Sequence, residues 1–131
     1  MNRDEKLSDL RSPIPILIED SAVSEAERFQ NQTLRPILKY QNELLLIVYQ
    51  NYLELRKGQF FGLSKEKRLL YIENSVRKDL KLKHLLLGIV VGLFTSEEWK
   101  IYKNHERELR KRITSLLIQR VQDQMEKFES P

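Results

Sequence analysis

At 131 residues, with 40% hydrophobic side chains, the chain is one domain by length and can bury a single core without metal or disulfide staples. It has no cysteine, which removes disulfide frameworks, thiolate metal sites and cysteine nucleophiles together and fits a reducing compartment. The net charge of +4 is unevenly spread: residues 64–120 carry fourteen basic and seven acidic groups, against eight and nine before them and one and three after.

Only four Gly and four Pro, among abundant Leu, Ile, Lys, Glu and Arg, favour a few long helices over sheet. The expected fold is all-α: an antiparallel bundle of four to five helices, residues 24–131, preceded by an extended N-terminal arm over 1–23 and closed by a long C-terminal helix. The N-terminus lacks the apolar core of a secretory signal, so the reading places the protein in the cytoplasm. Within the arm, Ser12-Pro13-Ile14-Pro15 enforces extended backbone and Ile16-Leu17-Ile18 offers apolar side chains to its own domain or to a partner subunit.

A first helix begins at Ser24, where Ser24-Glu25-Ala26-Glu27 has the form of a capping box, and Pro36 ends or kinks it. The next helix carries Pro36 in its first turn and runs to Arg56-Lys57 before Gly58. Leu34, Leu38, Leu45, Val48, Tyr52 and Leu55 follow a three-four spacing, and Ile37, Leu44 and Ile47 widen the apolar face enough for a central helix. Gln30-Asn31-Gln32, with Arg35, Lys39 and Tyr40 following, forms one possible polar site, and Tyr40, Tyr49 and Tyr52 could present hydroxyls to a pocket between helices. Phe60 and Phe61, between Gly58 and Gly62, either tuck under the bundle end or form a binding tip. Another helix starts at Ser64, with Leu69, Ile72, Val76 and Leu80 in one stripe and Glu73 to Arg77 as an i,i+4 pair; near Asp79 it bends or stops.

The run HLLLGIVVGLFTSEEW, residues 84–99, joins the last two predicted helices. Its apolar part, Leu85 to Phe94, is ten residues, about 15 Å as a helix, too short for a bilayer core of about 30 Å. It reads as a structural corner. Gly88 admits a close helix and Gly92 is the left-handed stop. Thr95 to Glu98 is a second capping box, with Phe94 and Trp99 as its hydrophobic staple. A DNA-binding helix-turn-helix has the same outline, but Trp99 and Tyr102 read as buried anchors and the following helix as about thirty residues, longer than a recognition helix.

That last helix is expected from Ser96 to about Phe128. Its far end, with Leu117, Val121, Met125 and Phe128, would overhang the bundle and be covered by the arm or by a second subunit, which argues for a homodimer. Its other face carries a basic stripe, Lys100, Lys103, Arg107, Arg110 and Lys111, with Arg77, Lys78, Lys81 and Lys83 as a second basic cluster. The stripe suits a nucleic-acid backbone or an acidic protein, weakened by Glu106–Arg110 and Glu108–Arg112 pairs and by an expected lack of stacking aromatics on that face.

No catalytic, metal-binding or cofactor-binding constellation is legible. There is no phosphate-binding or dinucleotide glycine motif, no H-E-x-x-H and no Glu-x-x-His; His84 reads as sitting at a helix start and His105 as facing solvent. The reading therefore leans away from an enzyme and expects no cofactor. It favours self-association and protein-protein interaction, with nucleic-acid association as the alternative and an enzyme with a helix-lined pocket third. The segments FQNQTLRPILKYQNELLLIVYQNYLELRK, YIENSVRKDLKLKHLLLGIVVGLFTSEEW and RKRITSLLIQRVQDQ together resemble a family of short all-helical proteins of unestablished function from marine Bacteroidetes, over about Phe29 to Gln124. Some of that family carry a glyoxalase label. Glyoxalases resemble paired βαβββ units with metal-binding His and Glu, and this sequence has neither; the resemblance implies an all-helical fold and no particular reaction.

Overall fold

The computed structural model describes residues 2–11 and 24–130. Every regular element in that range is helical. The α-helices are α1 (Arg3–Leu10), α2 (Glu25–Phe29), α3 (Arg35–Leu55), α4 (Lys65–Lys78), α5 (Leu80–Val91), α6 (Ser96–Asn104) and α7 (Glu106–Asp123), with a π turn at Gln30–Leu34 and 3-10 turns at Gln59–Gly62 and Met125–Lys127. Helices α3, α4, α5 and α7 pack around one core of Leu34, Ile37, Leu45, Tyr49, Ile72, Val76, Leu86, Leu109, Ile113 and Leu117, all almost fully buried.

The expected caps form where side-chain oxygens can meet orphan amides. Ser24 accepts from the Glu27 amide, Ser64 from the Lys67 amide, and Thr95 and Glu98 exchange both bonds of a capping box. Pro36 does not end a helix. The turn before it, Gln30–Leu34, is a π turn in which the Arg35 amide reaches back to the Gln30 carbonyl. That wider turn makes room for a proline ring that would press on the preceding turn of an α-helix, so α2 leads into α3 without a break. At the other end Lys57 (φ 58°) and Gly58 (φ 70°) are both left-handed and close α3.

Two breaks shape the second half of the chain, the first at Asp79, where the sequence allows either a bend or a stop. Asp79 is extended (ψ 100°), ending α4 and capping α5 by accepting from the Leu82 amide. Its other carboxylate oxygen receives Arg56 at 2.7 Å and the Tyr52 hydroxyl at 3.2 Å, so one acid ties α3 to the α4–α5 junction. The second break, at His105, divides the long last helix. Its amide is shared between the Ile101 and Tyr102 carbonyls, and its ring meets Glu25 of α2 at 3.1 Å rather than facing solvent alone.

The far end of the last helix does not overhang. The chain leaves α7 at Asp123, makes a turn at Met125–Lys127, and lays Phe128 against Tyr49 (ring centroids 5.3 Å apart) and Phe60 (6.3 Å). Leu117, Val121, Met125 and Phe128 are thus buried inside the protomer, which corrects their expected role as a self-association surface. Phe60 is core and Arg68 holds the Phe61 and Leu63 carbonyls, so the Phe60-Phe61 loop is tucked in and is no binding tip.

On α3 the buried stripe runs through Leu45, Tyr49 and Leu53, while Leu44, Ile47 and Leu55 are exposed. The expected face was too wide: of Ile37, Leu44 and Ile47, which widen it, Ile37 is buried while Leu44 and Ile47 lie off the side that α3 packs against α5 and α7. Leu80, beyond the break at Asp79, is likewise exposed.

The arm begins with a helix rather than extended chain. Helix α1 is capped by Asn2 and docks at the α5–α6 corner, not at the end of the last helix. Arg3 donates to the Phe94 (2.9 Å) and Gly92 (3.0 Å) carbonyls where α5 ends, and Asp4 accepts from the Ser96 amide (3.0 Å) where α6 begins. A cation on a helix C-terminus and an anion on a helix N-terminus are both favourable with the helix dipoles. The segments Ser12-Pro13-Ile14-Pro15 and Ile16-Leu17-Ile18 lie outside the described residues.

Candidate functional site

The break at His105 matters most for the surface. It lets α6 and α7 bend around a cleft of about 600 Å³ that also borders the end of α4 and the start of α5. Lys103 enters from α6, Arg107, Arg110 and Lys111 from α7, Arg77 from α4 and Lys83 from α5; Glu106 is the one carboxylate of the lining. Thr114 is buried at its floor, its hydroxyl spent on the Arg110 carbonyl at 2.9 Å.

Not all six cations are equally free. Arg110 is held by Glu106 at 2.7 Å and Arg77 by Glu73 at 3.3 Å, both i,i+4 pairs. Among the described residues no carboxylate pairs with Lys83, Lys103, Arg107 or Lys111. A cleft with this excess of unpaired positive charge focuses potential and attracts anions over the distance of a Debye length, about 8 Å at physiological salt.

Of the basic residues singled out in the sequence, four of the five stripe positions meet here, joined by Arg77 and Lys83 from the second cluster. Lys100 lies outside the cleft and pairs with Glu97 at 3.4 Å, and Lys78 and Lys81 are exposed elsewhere. Sequence spacing along one helix could not bring α4 and α5 to the stripe, since that depends on how they pack against α7.

Gln30 and Arg35 of the expected polar site do line one depression of about 330 Å³, together with Glu108, Lys111 and Arg112 of α7, but Tyr40, Tyr49 and Tyr52 take no part in it. Gln30 accepts from Arg112 at 3.0 Å, Asn31 from Arg35 at 3.1 Å, and the Tyr49 and Tyr52 hydroxyls are committed to Ser75 and Asp79. Burial pushes Tyr52 up to about 12, against the opposing Arg56 cation, and burial raises Tyr49 as well. Among the described residues no cluster of three or more His, Cys, Asp or Glu is placed to hold a metal ion, and no helix is long and apolar enough to cross a membrane.

The corner next to the cleft differs from its sequence reading in four respects. Gly92 is right-handed (φ −59°), not left-handed; glycine is suited there because a Cβ would sit 3.0 Å from the Gly88 carbonyl oxygen. Gly88 faces solvent, with nothing within 4 Å of where its Cβ would be, so no helix approaches it. Phe94 packs edge-on against Phe29 and against Tyr102, each at 5.5 Å, in place of stapling Trp99. Trp99 is 48% exposed, lying over Tyr102 at 5.7 Å.

Helix α6 is nine residues long, short enough for a recognition helix. Its first turn is nevertheless covered by Asp4, and by Arg11 on Glu98, whereas major-groove insertion needs that end free.

Comparison with known proteins adds one relative. An uncharacterised protein of Thermotoga maritima is 30% identical to this chain over 99 residues, which is 76% of this chain and 36% of the relative. The chain thus spans about a third of that protein's length. No family model matches the chain, and no solved structure matches it.

Proposed function

We propose that the protein is a nucleic-acid-associated binding module that holds a phosphate backbone in the cleft between α4, α5, α6 and α7. The observation that carries this is the convergence of six cations from four helices on one cleft with a single carboxylate. Three of the six are arginines, whose planar fork suits phosphate oxygens better than an ammonium does. The test is the salt dependence of binding to an oligonucleotide. Each neutralised phosphate contributes a slope of about −0.7 to −0.9 in log K against log salt. Replacing both Arg107 and Lys111 by Glu should weaken binding and flatten the slope by about two such steps; binding that ignores salt would sink the reading.

A second reading, self-association, is favoured by a different face. Tyr40, Leu44, Ile47 and Leu55 line the outer side of α3, and Ile47 and Leu55 are 58% and 73% exposed. An isologous pairing of two α3 helices would cover them and give the homodimer first sought at the end of α7. Light scattering should then report a dimer that Ile47→Glu dissociates. A monomer at high concentration would rule this reading out and leave the cleft untouched.

A further inference from the structure

We infer that Trp99 is a base-stacking platform at the mouth of the basic cleft, and that the nucleic acid taken is single-stranded. The inference rests on the phosphate-binding reading of the cleft. The sequence suggested that this face lacks stacking aromatics and that Trp99 is a buried anchor; in the structure Trp99 is 48% exposed and, although it does not line the cleft itself, stands on the same helix as Lys103, which does.

Trp99 stands one helical turn before Lys103, a cation of the cleft, and on a helix such i,i+4 side chains are neighbours with Cβ atoms about 5–6 Å apart. A base on the indole and a phosphate at Lys103 can therefore belong to the same stretch of strand. Among the described residues the aromatic partner of the indole is Tyr102. Tyr102 packs against it at 5.7 Å with 33° between the rings, Tyr102 meets Phe94 at 5.5 Å, and Phe94 meets Phe29 at 5.5 Å. This aromatic row runs from the core to the surface and holds the ring in place, so little side-chain entropy remains to be lost on stacking. A half-exposed tryptophan braced from below, beside unpaired cations, combines the two parts of a single-strand site: a charged track for the backbone and a π-face for a base.

A duplex makes poor use of that arrangement, since its bases are already stacked on one another and show only their edges. Only an unpaired base offers a face to the indole. The blocked first turn of α6 argues in the same direction, because it denies the corner entry to a major groove.

Trp99 is the chain's one tryptophan, so its fluorescence reports on this site alone. The whole protein is titrated with oligothymidylate, oligouridylate, a duplex of the same length and inorganic polyphosphate. Either single strand should quench Trp99 and bind more tightly than the duplex, while polyphosphate should bind without stacking on it. Trp99→Ala should weaken single-strand binding about ten-fold, with polyphosphate affinity and the salt slope unchanged, and Trp99→Phe should recover most of the loss. Thermal melts of both variants confirm that they fold. Equal affinity for duplex and single strand, or unchanged single-strand binding by Trp99→Ala, would overturn the inference while leaving the cleft a phosphate site. Failure of the unaltered protein to bind any of the four anions would overturn both.

Discussion

Arg11 and Glu98 form a two-pronged ion pair that bolts the end of α1 to the first turn of α6. One guanidinium nitrogen lies 2.7 Å from Oε1, the other reaches Oε2, and the two side chains are only 11% and 14% exposed. Glu98 at the same time accepts from the Thr95 amide at 2.8 Å and the Thr33 hydroxyl at 2.9 Å, so one carboxylate closes the capping box and joins α1, the π turn and α6. Burial alone would raise its pKa, but the Arg11, Thr95 and Thr33 hydrogen bonds outweigh burial and hold it below the ordinary 4.5.

Removing either partner should therefore be costly. Arg11→Met leaves a buried carboxylate with two of its donors gone and should cost about 2 kcal/mol in urea unfolding. Because the folded pKa of Glu98 is depressed, its contribution is fully present above the unfolded value and is lost as pH falls through the folded one. Glu98→Gln should flatten that acid limb of the stability profile. An unchanged limb would mean that other carboxylates dominate acid unfolding.

The two glycines of the corner should respond in opposite ways. Gly88 sits in a helix interior with open space around it, so Gly88→Ala should stabilise by about 0.5–1 kcal/mol through helix propensity. Gly92→Val must push its Cβ against the Gly88 carbonyl and should destabilise by about 1–2 kcal/mol. Paired thermal melts read the difference directly; a loss of stability in Gly88→Ala would show that α5 needs the small residue after all.

The contrast between these glycines shows where sequence reasoning reached and where it stopped. Caps at Ser24, Ser64 and Thr95 were legible because a capping signal is local: a hydroxyl and an amide three residues apart need nothing from the rest of the chain. The break at His105 was not, since no Gly or Pro marks it and its ring is tied to Glu25, eighty positions away in the chain. With that bend and the packing of α4 and α5 against α7 unseen, Lys103 and Arg107 read as one straight stripe and could not be joined to Arg77 and Lys83. Trp99 was misplaced for a related reason: periodicity says that an aromatic lies on the apolar side of a helix, but not that Tyr102 and Phe94 already fill the space beneath it. The six cations of the candidate site were thus visible as charge in the sequence, and their convergence, which depends on how the helices pack, was not.

The unpaired cations of the cleft should weaken the fold they sit on. Lys83, Lys103, Arg107 and Lys111 repel one another in the unliganded protein, so Lys111→Glu should raise stability by about 0.5 kcal/mol at low salt, and by less as salt screens the repulsion. The same substitution should weaken oligonucleotide binding. Thermal melts at two ionic strengths test the first part, and a gain in stability that does not shrink with salt would point to packing rather than charge.

Alkaline pH should find the core through Tyr49 and Tyr52. Ser75 donates to the Ile72 carbonyl at 2.9 Å, so in the 2.8 Å contact with Tyr49 it is the tyrosine hydroxyl that donates and the serine that accepts. Both tyrosines are raised above the ordinary 10, chiefly by burial, Tyr52 to about 12. A group with a raised folded pKa contributes stability that is intact below the unfolded value and is lost as pH climbs through the folded one. The fold should thus hold to about pH 10 and weaken steeply above it, and the part of the phenolate absorbance that Tyr49→Phe and Tyr52→Phe remove should appear late and together with loss of helix. Tyr49→Phe should cost about 1 kcal/mol at neutral pH and soften the alkaline transition. Ser75→Ala should cost more, because it leaves a buried hydroxyl with no acceptor, and the double variant should cost less than the sum of the two. If the absorbance that Tyr49→Phe removes rises near pH 10 in the unaltered protein while its helix is intact, Tyr49 is not sealed in the core.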